Sequence, residues 1–241
     1  MSKVVLLEDH QFGHQFTHVF GKCDHYFTVG EMAAAGGSGW DYAFIDFELA
    51  DKYTGLGALI YLHEYSPQTK VIVFTSIGER GRTLFALAAR CWFDAWALLD
   101  KGLASDETLG MIKDGANPTT DVWTAKLARN GWMVNMLFQK PLWLQMWRLW
   151  PLYDGSVRAL RKANPELRPA AIRDFSEQAP DVVSAFQDQF FPTEVALSSR
   201  QNTARAVPLS AFGRTHSNFF NAPDLTEVLD YAEPWKRRFV R

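Results

Sequence analysis

The stretch VVLLEDH, residues 4–10, decides the fold, because four apolar residues run directly into two neighbouring carboxylates, Glu8 and Asp9. A continuous run of β-branched residues and leucine is typical of a strand that is buried on both faces of a parallel sheet. Two adjacent carboxylates at its end repel each other unless a cation neutralises them. The stretch therefore predicts a buried strand that carries a charged site at its carboxyl end.

Three similar runs follow within the first hundred residues, at 42–45, 71–74 and 96–99. Between the runs, apolar residues recur at spacings of three and four, at residues 13–20, 55–65 and 80–90. Strands that alternate with helices of this length indicate right-handed βαβ units. We therefore predict an α/β fold, a five-stranded doubly wound parallel sheet, in the first 115 residues.

The pattern changes at DGANPTT, residues 114–120, where the β-type runs cease. An Asn-Pro pair disfavours a helix, and a threonine or aspartate after it can cap the next one. The segments beyond it are predicted to be helices, at residues 120–129, 143–152, 156–163, 170–178 and 182–190. The sequence thus predicts a sheet domain at 1–115, a linker or connecting helix at 116–135, and an all-α domain at 136–241.

The predicted strand ends deliver chemically related side chains: Glu8 and Asp9, then Asp46, Thr75 and Lys101. Ligands of a doubly wound sheet bind outside the carboxyl ends of its strands. Three carboxylates meeting there would repel by roughly 4 kcal/mol per pair, so we predict a divalent cation. Mg²⁺ fits because it prefers oxygen ligands and shares its positions with phosphate oxygens. A carboxylate beside it can attack a phosphoryl donor while a lysine and a hydroxyl stabilise the transferred group.

This set of residues resembles the receiver domain of two-component response regulators, over roughly residues 3–115. The resemblance implies a phosphoacceptor aspartate, a metal-binding acidic pair, a switch hydroxyl and a phosphate-pairing lysine, which here are Asp46, Glu8 and Asp9, Thr75, and Lys101. Glu48 would lend its backbone carbonyl to the Mg²⁺. The resemblance also implies a histidine kinase as partner, a homodimer, and no catalysis beyond formation and loss of the acyl phosphate.

Three features depart from the family's pattern. Gly55, which closes the loop after the acceptor, lies one residue later than is usual, and Gly102 follows Lys101 in place of proline or a small polar residue. The family's aromatic switch position is Leu98, with Trp96 two positions further back. Either Trp96 substitutes through a local bulge or the aromatic relay is absent.

Residues 156–178, SVRALRKANPELRPAAIRDFSEQ, carry a local excess of basic side chains. Asn164-Pro165 ends one short helix and Pro169 can start the next, so the segment distantly resembles a LuxR-type helix-turn-helix with a lengthened turn. Phosphate contacts need such a concentration of positive charge. The candidate DNA-binding residues are Arg158, Arg161, Arg168 and Arg173.

The composition limits the classes of function. A hydrophobic content of 47% with 22% charged residues indicates a folded protein, and a net charge of −2 gives no global argument for nucleic-acid or membrane binding. The first apolar run is too short for a signal peptide, and no run reaches the roughly 20 residues of a membrane span. We predict a cytoplasmic protein in which Cys23 and Cys91 are reduced thiols.

The sequence therefore predicts a response regulator in a phosphorelay, phosphorylated on Asp46 and controlling transcription through a DNA-binding helical domain. Two alternatives stay open. In one, the receiver is coupled to a protein-interaction or RNA-binding helical module. In the other, a pseudo-receiver is never phosphorylated and acts as a dimerisation scaffold.

Overall fold

The structure is a computed structural model that describes residues 2–9, 12–50, 54–76, 80–118, 122–190 and 202–234. The chain divides into two compact units. The sheet unit comprises Met1–Trp132 and Ala222–Glu233, and the helical unit comprises Met133–Asn221 and Pro234–Arg241. No helix within the described residues is long and apolar enough to cross a membrane.

The sheet unit contains a five-stranded sheet in which every strand pair is parallel. The strands are β1 (Val4–Leu7), β2 (Cys23–Tyr26), β3 (Tyr42–Ile45), β4 (Lys70–Thr75) and β5 (Ala97–Asp100). Their order is β2-β1-β3-β4-β5, so the direction of winding reverses beside β1. The predicted five-stranded parallel α/β architecture is confirmed.

β2 had no apolar run to mark it. Its sequence CDHY lies at the edge of the sheet and is half-buried throughout, whereas β1 and β3 are buried at every residue. Cys23 and Cys91 are free thiols. Burial and the neighbouring charge of Asp24 raise the pKa of Cys23 to about 12, so this thiol stays protonated at neutral pH.

Helices cover both faces of the sheet. They are α1 (Gly13–Phe20), α2 (Val29–Ala34), α3 (Gly55–Tyr65), α4 (Arg80–Trp92), α5 (Asp106–Lys113) and α6 (Val122–Arg129). On one face, Phe16 of α1 packs edge-on against Phe44 and Phe74, with ring centroids 4.6 and 5.4 Å away. This aromatic core holds β1, β3 and β4 in register, so their carboxyl ends lie side by side.

The described residues of the helical unit form α7 (Trp143–Leu149), α8 (Val157–Ala163), α9 (Pro169–Phe190), α10 (Asn202–Thr215) and α11 (Ser217–Phe220). Short 3₁₀ helices cover Gly131–Phe138, which begins in the sheet unit, and Trp150–Tyr153. The predicted helix at 143–152 therefore stops early. Pro151 has no N–H to continue the α-helical ladder.

The predicted helices at 170–178 and 182–190 are one helix of 22 residues, with Pro180 inside it. The prediction of two helices was wrong because the apolar face continues across the proline, through Phe175, Ala179 and Val183. Trp147 packs on this face, with its ring centroid 4.8 Å from that of Phe175. Burial of that face outweighs the local cost of a proline in a helix.

After Asn221 the chain returns to the sheet unit and forms α12 (Leu225–Ala232). Asp224, at its N-terminus, accepts hydrogen bonds from the backbone N–H groups of Thr54 and Gly57 at 2.8 and 2.9 Å, and from the Thr54 hydroxyl at 2.9 Å. Tyr231 lies against α3 through a 2.6 Å contact between its hydroxyl and Nδ1 of His63. Residues 222–233, which the sequence places in the C-terminal domain, thus pack on the sheet unit.

Candidate functional site

Glu8, Asp46 and Lys101 meet at the carboxyl end of the sheet. The ammonium nitrogen of Lys101 lies 2.7 Å from Oε1 of Glu8 and 2.7 Å from Oδ2 of Asp46. Glu8 and Asp46 are 0% and 1% exposed, and the Lys101 side chain is 9% exposed. The structure therefore brings together three predicted site residues from three different strand ends.

The sheet itself positions the two carboxylates. The backbone N–H of Glu8 donates to the Tyr26 carbonyl and that of Asp46 donates to the Leu7 carbonyl, so both residues continue the parallel ladder by one step. Oδ1 of Asp46 also accepts a 2.7 Å hydrogen bond from the Phe47 N–H. These main-chain contacts leave the second oxygen of Asp46 directed at Lys101.

The Lys101 ammonium group is shared between two buried carboxylates, Glu8 and Asp46. Buried carboxylates require partners, because removing one member of a buried ion pair costs roughly 3–5 kcal/mol. Asp9, half-buried, adds a third carboxylate beside them. The cluster is therefore suited to a further positive charge.

The carboxylate oxygens of Glu8, Asp9 and Asp46 lie within 4.8 Å of one another, which is close enough for one ion to contact all three. Carboxylate oxygens are the ligands that Mg²⁺ prefers. The donor set therefore fits the predicted ion. The Glu48 carboxylate lies outside this group and instead accepts a 3.0 Å hydrogen bond from Arg82.

Thr75 ends β4 beside this cluster and is fully buried. Arg82, in the first turns of α4, places Nη1 3.5 Å from the Thr75 hydroxyl and Nη2 3.0 Å from Glu48. The sequence analysis missed Arg82, because a single arginine within a helical pattern gives no signal of its own. Arg82 lies one helical turn before Phe85, which packs on Phe47, and this contact is visible only in the folded chain.

The loop after Asp46 is closed by Gly55. A side chain at this position would collide with the backbone carbonyl of Asp46, which explains the glycine. The neighbouring Thr54 caps α3 and also binds Asp224. Residues 51–53 of the lengthened loop lie outside the described residues.

Trp96 does not take the place of an aromatic switch. Its ring packs 5.8 Å from that of Tyr42 and under the ammonium group of Lys70, both at the amino ends of their strands. β5 pairs regularly with β4 from Ala97 to Asp100, so the suggested bulge is wrong. Leu98 is completely buried in that strand.

The four candidate DNA-binding arginines are all exposed. Arg158 and Arg161 line a surface depression with Lys162 along α8 and the turn that follows it. Arg173 lines a different depression, together with Lys140 and the acidic Asp174 and Glu177. Ile172, on the opposite face of α9, is buried. The basic charge is therefore concentrated on α8 and its turn rather than on the start of α9.

No family model, curated protein or solved structure matches the chain. The class that the fold and site define is an α/β protein with a buried acid–lysine cluster at the carboxyl end of a parallel sheet. A function for this chain therefore rests on the chemistry of its own residues.

Proposed function

We propose that this chain is a two-component response regulator whose receiver domain is phosphorylated on Asp46 by a histidine kinase in the cytoplasm. The observation that carries the proposal is the placement of Lys101 at 2.7 Å from both Glu8 and Asp46, with Thr75 on the adjacent strand end. The strand order β2-β1-β3-β4-β5 supports it, because this is the flavodoxin-like order, in which ligands bind at the reversal beside β1.

The chemistry requires an in-line attack on phosphorus. A carboxylate oxygen of Asp46 forms the new P–O bond, and the P–N bond of a phosphohistidine donor breaks, leaving its electron pair on the imidazole nitrogen. Lys101 and the Thr75 hydroxyl stabilise the negative charge on the transferred oxygens. Mg²⁺ held by Glu8, Asp9 and Asp46 would supply further positive charge to those oxygens.

Phosphorylation replaces the single negative charge of the Asp46 carboxylate by a phosphoryl group of about −2 and adds new acceptor oxygens. New charge-assisted bonds to Lys101 and Thr75 exist only in the phosphorylated state, so they shift the population toward the conformation that forms them. The readout is DNA binding by an all-α C-terminal domain, which the modified receiver controls through dimerisation or exposure of the basic residues.

The phosphoacceptor is tested by mass spectrometry of the intact chain after incubation with acetyl phosphate and Mg²⁺. We expect the mass gain of one phosphoryl group, labile to hydroxylamine as an acyl phosphate is. The gain disappears in Asp46→Asn, which keeps the side-chain size and the Phe47 N–H acceptor. A gain that persists in Asp46→Asn excludes Asp46 as the acceptor.

DNA binding is tested by the salt dependence of binding to duplex DNA. Replacing both Arg158 and Arg161 by alanine should weaken binding uniformly across sequences and lower the salt slope by about 1 for each lost phosphate contact. The same measurement on Arg168→Ala and Arg173→Ala shows how much each of these two arginines contributes to DNA binding. Arg129→Ala removes one positive charge from an exposed position in the sheet unit and serves as the control for each single substitution.

A pseudo-receiver is the second candidate, and the placement of Trp96 and Leu98 favours it. The aromatic residue lies at the amino end of its strand and the switch position is a buried leucine, so the usual aromatic relay has no counterpart in β5. In that case acetyl phosphate adds no mass and Asp46→Asn leaves dimerisation unchanged. The helical unit then serves as a protein-interaction or RNA-binding module.

A further inference from the structure

Arg82 is a second, partly buried cation beside the proposed phosphorylation site. Its side chain is 13% exposed, and its guanidinium reaches the Thr75 hydroxyl with one nitrogen and the Glu48 carboxylate with the other. Phe85, one turn further along α4, packs 5.1 Å from Phe47, the residue after Asp46. The guanidinium is therefore held between the end of β4 and the loop that follows the acceptor.

The charge of the site changes when Asp46 is phosphorylated. Before the reaction, three carboxylates face one lysine, and a divalent cation brings the sum to zero. Replacing one carboxylate charge by a phosphoryl group of about −2 leaves a net negative charge. A further cation lies at the end of the neighbouring strand, where Nη1 of Arg82 is 3.5 Å from the Thr75 hydroxyl.

The present partner of Arg82 is easily exchanged. The Glu48 side chain is 47% exposed, so its carboxylate regains water when the ion pair opens. A guanidinium offers a planar fork of N–H donors that matches two phosphoryl oxygens, and bonds between two ionised groups are the stronger ones. A phosphoryl dianion near Thr75 therefore competes effectively with Glu48 for this arginine.

We propose that Arg82 is a catalytic phosphate-binding residue: it binds the phosphoryl oxygens on Asp46, and Glu48 holds it aside while Asp46 is unmodified. This inference rests on the proposed function and assigns its site an additional residue. The phosphorylated state is thus marked by exchange of Arg82 from Glu48 to the phosphoryl group, next to the switch hydroxyl.

The same contact acts on formation and on loss of the acyl phosphate. In hydrolysis, a water oxygen forms a bond to phosphorus as the bond to the Asp46 oxygen breaks, and the products are inorganic phosphate and the free carboxylate. Both reactions place charge on the three equatorial oxygens of phosphorus. Loss of one charge-stabilising donor in such a site typically slows the reaction by 10²–10³-fold.

The test measures the initial rate of phosphorylation of the full chain by acetyl phosphate with saturating Mg²⁺. We expect Arg82→Ala to slow the reaction by at least about tenfold. The slowing can be smaller than 10²–10³-fold because Lys101 still stabilises the phosphoryl oxygens. Arg82→Lys should restore part of the rate. Glu48→Gln should increase the rate by a few fold, because the competing carboxylate is gone. Arg129→Ala is the matched loss of one exposed arginine and should leave the rate unchanged.

A second readout is binding of beryllofluoride, a phosphoryl mimic, followed by ¹⁹F NMR. Glu48→Gln should tighten its binding and Arg82→Ala should weaken it. A purely structural ion pair predicts the same direction for both variants, since each breaks the pair. That result, in the rate or in the ¹⁹F titration, overturns the inference.

The two proposals fail in distinguishable ways. If the unsubstituted chain gains no phosphoryl group, the proposed function and this inference fall together. If it is phosphorylated and Arg82→Ala reacts within twofold of it, only the inference about Arg82 falls. Circular dichroism checks the fold of each variant, and Glu48→Gln, altered at a half-exposed side chain, decides the matter if Arg82→Ala does not fold.

Discussion

The strand-end cluster and the basic surface of α8 both concentrate charge, but in opposite environments. Glu8 and Asp46 have lost all contact with water and each has Lys101 at 2.7 Å. Arg158 and Arg161 are exposed to water. Buried charge demands a compensating group and so constrains chemistry, whereas exposed charge is compatible with many roles.

The largest expected effect comes from Lys101→Met. The substitution keeps the volume but leaves two carboxylates buried without their ammonium partner, and we expect a loss of about 3–5 kcal/mol in the free energy of unfolding. Urea denaturation followed by circular dichroism measures it. The double variant Glu8→Gln with Lys101→Met should recover part of the loss, and an equal loss in both variants would contradict the pairing.

Mg²⁺ should stabilise the folded chain by about 2.7 kcal/mol at a hundredfold excess over its Kd, because the ion binds only when the three carboxylates are assembled. Urea denaturation with and without the ion measures the gain. Asp9→Asn removes one of the three carboxylates and should reduce it sharply. An undiminished gain in Asp9→Asn would place the ion elsewhere.

Asp224 is a buried acid in the same unit as the strand-end cluster, but its partners are neutral N–H and hydroxyl groups instead of a lysine. Asp224→Ala tests these contacts. The substitution removes the carboxylate that accepts from Thr54 and Gly57, and we expect a loss of about 1–3 kcal/mol in the free energy of unfolding. Asp224→Asn keeps an acceptor oxygen of the same reach and should lose less. Equal losses in the two variants would mean that the contacts to Thr54 and Gly57 contribute little.

Asp224 also predicts a pH dependence. Burial raises the pKa of its carboxyl above the ordinary value, although the hydrogen bonds from Thr54 and Gly57 act in the opposite direction. The folded chain therefore binds this proton more tightly than the unfolded chain. The resulting stabilisation is complete below the unfolded pKa and is lost as the pH rises through the folded pKa. Denaturation across acidic pH should show this slope in the unsubstituted chain and a flatter one in Asp224→Asn.

The smallest effect is expected on the basic surface. Arg158→Ala and Arg161→Ala should change the free energy of unfolding by less than about 0.5 kcal/mol, because both side chains are exposed. Thermal unfolding measures this. A larger loss in either variant would show that these arginines support the fold, which would remove the contrast with the strand-end cluster.

Much of the sheet unit is predictable because its strands are local apolar runs, and because parallel strands end at one edge. Glu8, Asp46 and Lys101 follow three such strands, which is why their meeting at that edge is predictable from the sequence. The position of β2 was not predicted because an edge strand needs no apolar run. The single helix through Pro180 was not predicted either. Burial of its apolar face outweighs the cost of a proline inside a helix, and the local sequence pattern does not reveal that burial.

The contacts that the sequence does not predict join distant parts of the chain. Arg82 matters because α4 places it beside Thr75 and Glu48, which is a result of packing. Asp224 binds Thr54 across a separation of 170 residues. No periodicity or spacing in the sequence connects such residues.

The return of α12 to the sheet unit affects how the protein is made. A ribosome adds all five strands to the chain before it adds Asp224, so the first turn of α3 lacks this acceptor while the helical unit is synthesised. The sheet unit is complete only after the intervening residues 133–221 have been synthesised. A gene fragment that ends at residue 132 therefore encodes an incomplete unit, and exchange of the helical segment by recombination has to preserve residues 222–233.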